Sequence, residues 1–242
     1  METIYKKIVI KISGEALADK KNNMILDNEK LARVAEVVKS VVELGVEVGI
    51  VVGAGNIWRG KLAEKIGIEP STADYMGMLG TIMNALAIQS AVEQVGLPCR
   101  VMSAINVPQV CEPYLRRKAV HHLEKSIVTI FAGGTGNPYF TTDTCASLRA
   151  LETNAEAILM GKNGVDGVFD SDPRVNPNAK ILEELTYREL IEKKLGVMDL
   201  TAAAMLEGKG VVIRVFNMNE PENFVRILKG EKIGSTIRDK ID

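Results

Sequence analysis

Ala132-Gly133-Gly134-Thr135-Gly136-Asn137-Pro138-Tyr139-Phe140-Thr141-Thr142-Asp143 is the segment of the chain richest in groups that could do chemistry. It follows an apolar β-branched run, 126–131, and leads into a helix-like segment, 144–152, so it lies where a strand hands over to a helix. Closely spaced glycines let a ligand approach the backbone, N–H groups at a helix start face outward, and three threonine hydroxyls surround one carboxylate. A phosphorylated ligand is the expected occupant.

Two other glycine turns follow strand-like runs. Lys11-Ile12-Ser13-Gly14-Glu15 puts a lysine at a strand end, where an ammonium can neutralise charge spreading over a transferred phosphoryl group. The plain alternative is an edge-strand lysine in water. Gly53-Ala54-Gly55-Asn56-Ile57-Trp58-Arg59-Gly60-Lys61 offers an arginine that can grip phosphate bidentately, or that simply decorates a tight turn. Two familiar patterns fail here: the third glycine of a dinucleotide fingerprint falls on Trp58, and a P-loop would need a hydroxyl where Leu62 stands.

In 72–84, Asp74 either favours a helix dipole or contacts a ligand hydroxyl or ring, and the methionines read as core. The loop 161–173 carries carboxylates, amides and one aromatic, and could cradle a purine and ribose or merely turn. Arg116-Arg117-Lys118 with His121 and His122 reads as a solvated or subunit-contacting helix face. Neither histidine sits in a metal or general-base motif, and serine-hydrolase and zinc signatures are missing.

Short β-rich runs at 7–12, 46–52, 99–102, 127–131, 157–160 and 211–216 must position these loops. Helix-period segments at 28–44, 72–95, 113–124, 142–152, 187–194, 200–207 and 221–228 alternate with them. That order predicts an α/β fold with a mainly parallel sheet covered by helices, and ligands at the carboxyl ends of its strands. One domain of two lobes is expected across 1–242, with a soft boundary near 161–180.

The 242 residues suffice for one large core that buries roughly 70–75% of the unfolded surface. Thirty basic residues against 31 acidic ones give a formal charge of -1, without the excess that would announce nucleic acid or an anionic membrane. Cys99, Cys111 and Cys145 form no Cys-x-x-Cys pair, which argues against a disulfide framework and a thiolate metal site, and for a reducing cytosol. No apolar run approaches the ~18 residues of a membrane span. A soluble cytoplasmic protein is expected.

Lys11-Ile12-Ser13-Gly14-Glu15-Ala16-Leu17, 53–60, Asp74-Tyr75-Met76-Gly77-Met78-Leu79, 135–143 and Val197-Met198-Asp199-Leu200 together closely resemble the bacterial uridylate kinase (UMP kinase) family, essentially end to end. The resemblance implies the amino acid kinase fold, a three-layer αβα sandwich. It implies transfer of the ATP γ-phosphoryl to UMP with Mg2+ in pyrimidine nucleotide biosynthesis, a homohexamer, and inhibition by UTP. By the same resemblance Lys11, Ser13, Gly14, Gly55 and Arg59 would hold the ATP phosphates, and Asn163, Phe169 and Asp172 would border its nucleoside. Asp74 would recognise UMP, while Ala54 and the run Thr135, Gly136, Asn137, Pro138, Tyr139, Phe140, Thr141 and Thr142 would contact its uridine and phosphate. Asp143 would orient Lys11 or the metal shell, and no strong general base is needed because the acceptor phosphate is already an anion.

Two departures stand out. Ala54 occupies a position where glycine is common, and the segment 18–24 lacks the glycines associated with GTP activation in many members. Another carboxylate or carbamate kinase of the same fold, or a non-catalytic pyrimidine-nucleotide sensor, are the competing readings. The kinase reading requires Lys11 and Asp143 to meet in a cleft between two nucleotide sites.

Overall fold

The computed structural model describes residues 2–171, 173 and 175–241. Its strands are β1 (Lys7–Ile12), β2 (Glu47–Val52), β3 (Cys99–Ser103), β4 (Glu112–Pro113), β5 (Val128–Ala132), β6 (Ala157–Lys162), β7 (Val168–Phe169), β8 (Ile181–Leu182), β9 (Glu184–Thr186), β10 (Val212–Asn217) and β11 (Ser235–Arg238). Nine of them form one sheet in the order β4-β3-β5-β2-β1-β6-β10-β11-β9. Its pairs are parallel except β10 with β11; β7 and β8 make a separate antiparallel ribbon.

Helices α1 (Asn28–Val42), α2 (Gly60–Lys65), α3 (Pro70–Gln94), α4 (Arg116–Glu124), α5 (Thr142–Thr153), α6 (Tyr187–Glu192), α7 (Leu200–Leu206) and α8 (Glu222–Leu228) connect the strands. The sheet separates two cores. Ile8, Ile10 and Ile12 of β1 pack with Val34 and Val38 of α1, Ile82 and Ile88 of α3, and Phe224 and Ile227 of α8. Val9, Val51, Phe131 and Ile158 pack on the other side with Leu123 of α4, Ala146 of α5, Leu190 of α6 and Ala203 of α7. This is the expected three-layer αβα arrangement. The middle of β2, Gly49-Ile50-Val51-Val52, is uniformly apolar because both faces of a central parallel strand are buried.

The caps are legible in residue types. Asp27 accepts from Lys30 N at 2.9 Å to open α1, and Thr141 accepts from Asp143 N and Thr144 N to open α5. Thr186 and Glu189 close a reciprocal capping box at α6.

Several boundaries differ from expectation. The helix placed at 113–124 starts at Arg116, because Glu112 and Pro113 pair with Met102 and Ser103 at the sheet edge, where a proline's missing N–H does no harm. The helix placed at 72–95 starts at Pro70, one turn-forming residue that fits a first helical position. Strands β4, β7, β8, β9 and β11 and the helix α2 were not anticipated; at two to six residues they are too short to show a period. Among the described residues no helix is long and apolar enough to cross a membrane.

Candidate active site

Strand β1 lies at the sheet's switch point: β2 and its neighbours continue to one side, β6 and β10 to the other. Crevices at such a point, at the carboxyl ends of the strands, are where α/β sheets take ligands. Side chains alternate along β1, so Lys11 shares the face of Val9 and points into the layer of α5 rather than that of α1. Thr141 starts α5 against the same strand tips, which puts Asp143 in the first helical turn. Lys11 Nζ and Asp143 Oδ1 lie 2.9 Å apart, and their side chains are 13% and 16% exposed. The pair is shielded enough for its charges to act strongly on a neighbouring ligand.

Lys162 ends β6 two positions beyond Met160, the register partner of Lys11, and so faces the same way. Its ammonium donates to Val197 O at 2.8 Å. Burial, and then repulsion from Lys11, lower its pKa below the ordinary lysine value, with Asp143 opposing the shift. Two ammonium groups and one carboxylate therefore occupy one partly desolvated point.

Beside them opens a cleft of about 270 Å³ lined by Ala54, Gly55, Trp58, Asp74, Gly134, Phe140, Thr141 and Thr142, among others. A Cβ on Gly53 would lie 3.3 Å from Thr142 Oγ1, so the turn after β2 is pressed against the start of α5. Asn84, buried on α3, donates to Gly53 O at 2.8 Å and to Asn56 Oδ1 at 2.8 Å and fixes that turn. Gly133, Gly134 and Gly136 have φ of +72°, +57° and +82°, left-handed values that glycine adopts without strain.

The Amino acid kinase family model matches residues 6–217. The uridylate kinase of Pediococcus pentosaceus is 50% identical over 237 residues, 98% of either chain, and that of Limosilactobacillus reuteri is 51% identical over 233 residues, 96% of this chain and 97% of the other. The chain belongs to the amino acid kinase family, in its uridylate kinase branch. The crystal structure of UMP kinase from Bacillus anthracis superposes with a TM-score of 0.95 at 43% identity, over 98% of this chain and 97% of that one.

Within this family member, the expected site residues fall into groups. Lys11 and Asp143 meet at the centre, and Ala54, Gly55, Asp74, Phe140, Thr141 and Thr142 line the one cleft. Ala54 is not among the residues with positive φ, so its backbone conformation accommodates alanine. Gly14 packs against the turn after β2: a Cβ there would come 2.5 Å from Gly53 O and 2.9 Å from Gly55 N, and Ser13 immediately precedes it. Arg59 donates to Glu15 Oε1 at 2.5 Å and Gly55 O at 3.2 Å, and Lys20 pairs with the same carboxylate at 2.8 Å.

Other residues singled out in the sequence are placed as follows. Asp74 lies past the first turn of α3, because the helix starts at Pro70, so the dipole does not account for it; its Oδ2 accepts from Tyr139 N at 2.7 Å. The Thr135 hydroxyl bonds the Asn137 backbone at 3.2 Å, and Thr135, Gly136, Asn137, Pro138 and Tyr139 are not in the cleft wall. Asn163 borders a separate apolar cavity between α1 and the sheet, whereas Phe169 sits on the β7–β8 ribbon. Asp172 lies outside the described residues. The basic face of α4 is not wholly solvated: His122 is buried, with Nε2 3.0 Å from Glu112 Oε2.

Lys162 and Asp199 were missed as site residues. Lys162 ends an apolar strand and Lys11 stands one residue before the end of another, and that parallel was the available signal. Asp199 opens α7 by accepting from Ala202 N at 2.8 Å, and its other oxygen accepts from the hydroxyls of Thr141 and of Thr144, the latter at 3.1 Å. It ties two helix starts together.

Proposed function

We propose that this protein transfers the γ-phosphoryl group of ATP to UMP, giving UDP and ADP. One observation carries the reading: Lys11, Asp143 and Lys162 converge at the switch point beside a cleft walled by Asp74, Phe140 and Thr142, in a chain half identical to uridylate kinases over nearly its whole length.

Phosphoryl transfer asks a protein mainly to position two anions in line and to neutralise charge on the equatorial oxygens. Lys11 and Lys162 supply that positive charge at the tips of adjacent strands. Asp143 holds the Lys11 ammonium in place and keeps two like charges from repelling each other apart. Backbone N–H groups of the loop after β5 and at the start of α5 receive the acceptor phosphate. Asp74 takes a donor group of the uridine, Ala54, Thr141 and Thr142 frame the acceptor, and Phe140 supplies an apolar surface. Ser13, Gly14, Gly55 and Arg59 take the donor phosphates, and Asn163, Phe169 and Asp172 its nucleoside.

Among the described residues no group of three or more His, Cys, Asp or Glu could hold a metal ion. The Asp143 carboxylate beside Lys11 fits a Mg2+ carried on the ATP phosphates. When bound, the ion adds charge neutralisation on the phosphate oxygens.

The proposal extends to a cytoplasmic enzyme of pyrimidine nucleotide biosynthesis, one domain of two lobes parted near 161–180, and inhibition by UTP, which shares the uridine read by the acceptor cleft. It extends also to a homohexamer. Tyr75, Leu79 and Met83 stand exposed at four-residue spacing on α3, one apolar stripe on an apolar helix, and a second copy of the chain would cover it. The deciding experiment follows ADP release from ATP and Mg2+ with UMP, CMP, dUMP, acetylglutamate and carbamate in parallel. UMP is expected to be preferred; preference for a carboxylate or carbamate, or binding without turnover, overturns the reading.

A further inference from the structure

On the α1 side of the sheet a cavity of about 210 Å³ lies between β1, α1 and the segment joining β10 to α8. Strand β1 contributes Ile10 and Ile12 to its wall, α1 contributes Val34, Val37 and Val38, and the turn after β1 contributes Ala16. Neighbours in a strand face opposite ways, so the two isoleucines point away from Lys11 and the cavity lies behind the Lys11–Asp143 pair. A void of this size in a close-packed interior forfeits dispersion contacts, which larger aliphatic side chains at Ala16 or the three valines would recover.

The walls are held open. Phe224, another wall residue, is fixed by an edge contact with Phe216 at 4.8 Å between ring centres, so its ring does not turn inward. Two struts keep α1 at its distance: Lys30 donates to Ala18 O, beyond the turn after β1, and Arg33 donates to Asn219 O, between β10 and α8. An apolar cavity of about 150 Å³ already takes a benzene ring, so this one has room for a ring with a short substituent. Phe224 offers such a ring an aromatic contact.

Charge decides what the substituent is. The polar side chains on the wall are Lys30, Arg33, Asn163 and Asn219, and no carboxylate is among them. A backbone carbonyl orients a cation without cancelling its charge, so both struts leave positive charge at the rim. Asp19 and Asp27, in the adjoining charged groove, accept from the backbone N–H groups of Lys21 and Lys30. An apolar space edged by two cations is complementary to a compact apolar body that carries one anionic group.

We propose that this cavity is a second small-molecule site, which takes a compact aryl carboxylate with its ring among the valines and its carboxylate at Lys30 and Arg33. The site does not depend on which acceptor the protein phosphorylates. Phenylacetate, its uncharged isostere 2-phenylacetamide and the cation 2-phenylethylamine test it by isothermal titration calorimetry on the intact protein. Phenylacetate is expected to bind once per chain. The amide should bind about tenfold more weakly, the difference between a charge-assisted and a neutral hydrogen bond at an accessible rim, and the amine more weakly still. Absence of phenylacetate binding, or equal affinity for all three, overturns the proposal.

Two variants fix the location. Val37→Phe puts a ring into the cavity from a half-buried position and should abolish phenylacetate binding; undiminished binding to the folded variant overturns the proposal by placing the ligand elsewhere. Lys30→Gln combined with Arg33→Gln, which leaves the apolar wall intact, carries the test if Val37→Phe does not fold. In that double variant phenylacetate should fall to the level of the amide, whose own affinity stays unchanged. A persisting preference for the carboxylate, or equal losses for both compounds, overturns the proposal as well.

Discussion

The acceptor loop after β5 and the charged loops after β1 and β2 meet at the same strand tips but are held in different ways. The acceptor loop is fixed from four directions, three of them through its backbone: Thr81 Oγ1 accepts from Gly133 N at 2.8 Å, Arg149 holds Gly134 O, Asp74 holds Tyr139 N, and Asp199 anchors the hydroxyl of Thr141. On the other side the turn backbone is fixed by Asn84, yet Arg59, the exposed charge expected to meet donor phosphates, is more than half exposed and, with the still more exposed Lys20, is spent on Glu15. Exposed ion pairs of this kind contribute little and exchange readily. The contrast teaches that one side presents pre-oriented dipoles, which select, and the other presents mobile charge, which a polyphosphate can recruit.

The comparison breaks most severely at the centre shared by both sides. Lys11→Ala should reduce kcat/KM for both substrates by about a thousandfold, as for removal of a preorganised charge-stabilising group, with wild-type circular dichroism because the residue lies at a strand tip. Near-normal turnover would detach Lys11 from the chemistry. Asp74→Asn keeps an oxygen for Tyr139 N but loses the charge, and should raise the UMP KM by about tenfold while sparing ATP. The reverse pattern would move Asp74 to the donor side.

A pH profile sharpens the centre further. Lys162 is a cation only below its folded pKa, and burial lowers that value below the 10.5 of a free lysine. Activity should therefore fall on the alkaline side at a pH below 10.5, and Lys162→Arg, whose guanidinium stays charged to above about pH 12, should move that limb upward. An unmoved limb would assign it to another group. The smallest effect is expected from Glu15→Gln, which frees Arg59 and Lys20. The ATP KM should drop by about two- to threefold at low salt and the gain should fade as salt screens the charges. An unchanged or raised ATP KM would show that Glu15 organises the donor side rather than competing with it.

How far the site could be read in advance follows the range of the interactions. Lys11, Gly14, Gly55 and Asp143 were visible because strand ends, glycine turns and helix starts are local patterns. Lys162 carried only a weak echo of Lys11, and nothing local in Arg149 or Asp199 announces a partner 15 or 58 residues away, at Gly134 and at Thr141. Thr135 and Asn137 read as ligand groups by type, and in this structure their side chains bond within the loop.

The order of strands and helices, the parallel sheet and the faces that β1 turns to its two cores follow from periodicity along the chain, because residues two apart in a strand must share a side. Which loops meet depends on strand order, and that is a matter of how nine strands settle side by side: β6 lands beside β1 although about 150 residues separate Ile8 from Ala157. The short strands β4, β7, β8, β9 and β11, the pairing of Lys11 with Asp143 and the burial of Arg149 beneath the acceptor loop all arise from that assembly. They belong to the tertiary structure because a cation is held in a core only where distant elements bring a carboxylate, a ring and a carbonyl to it at once.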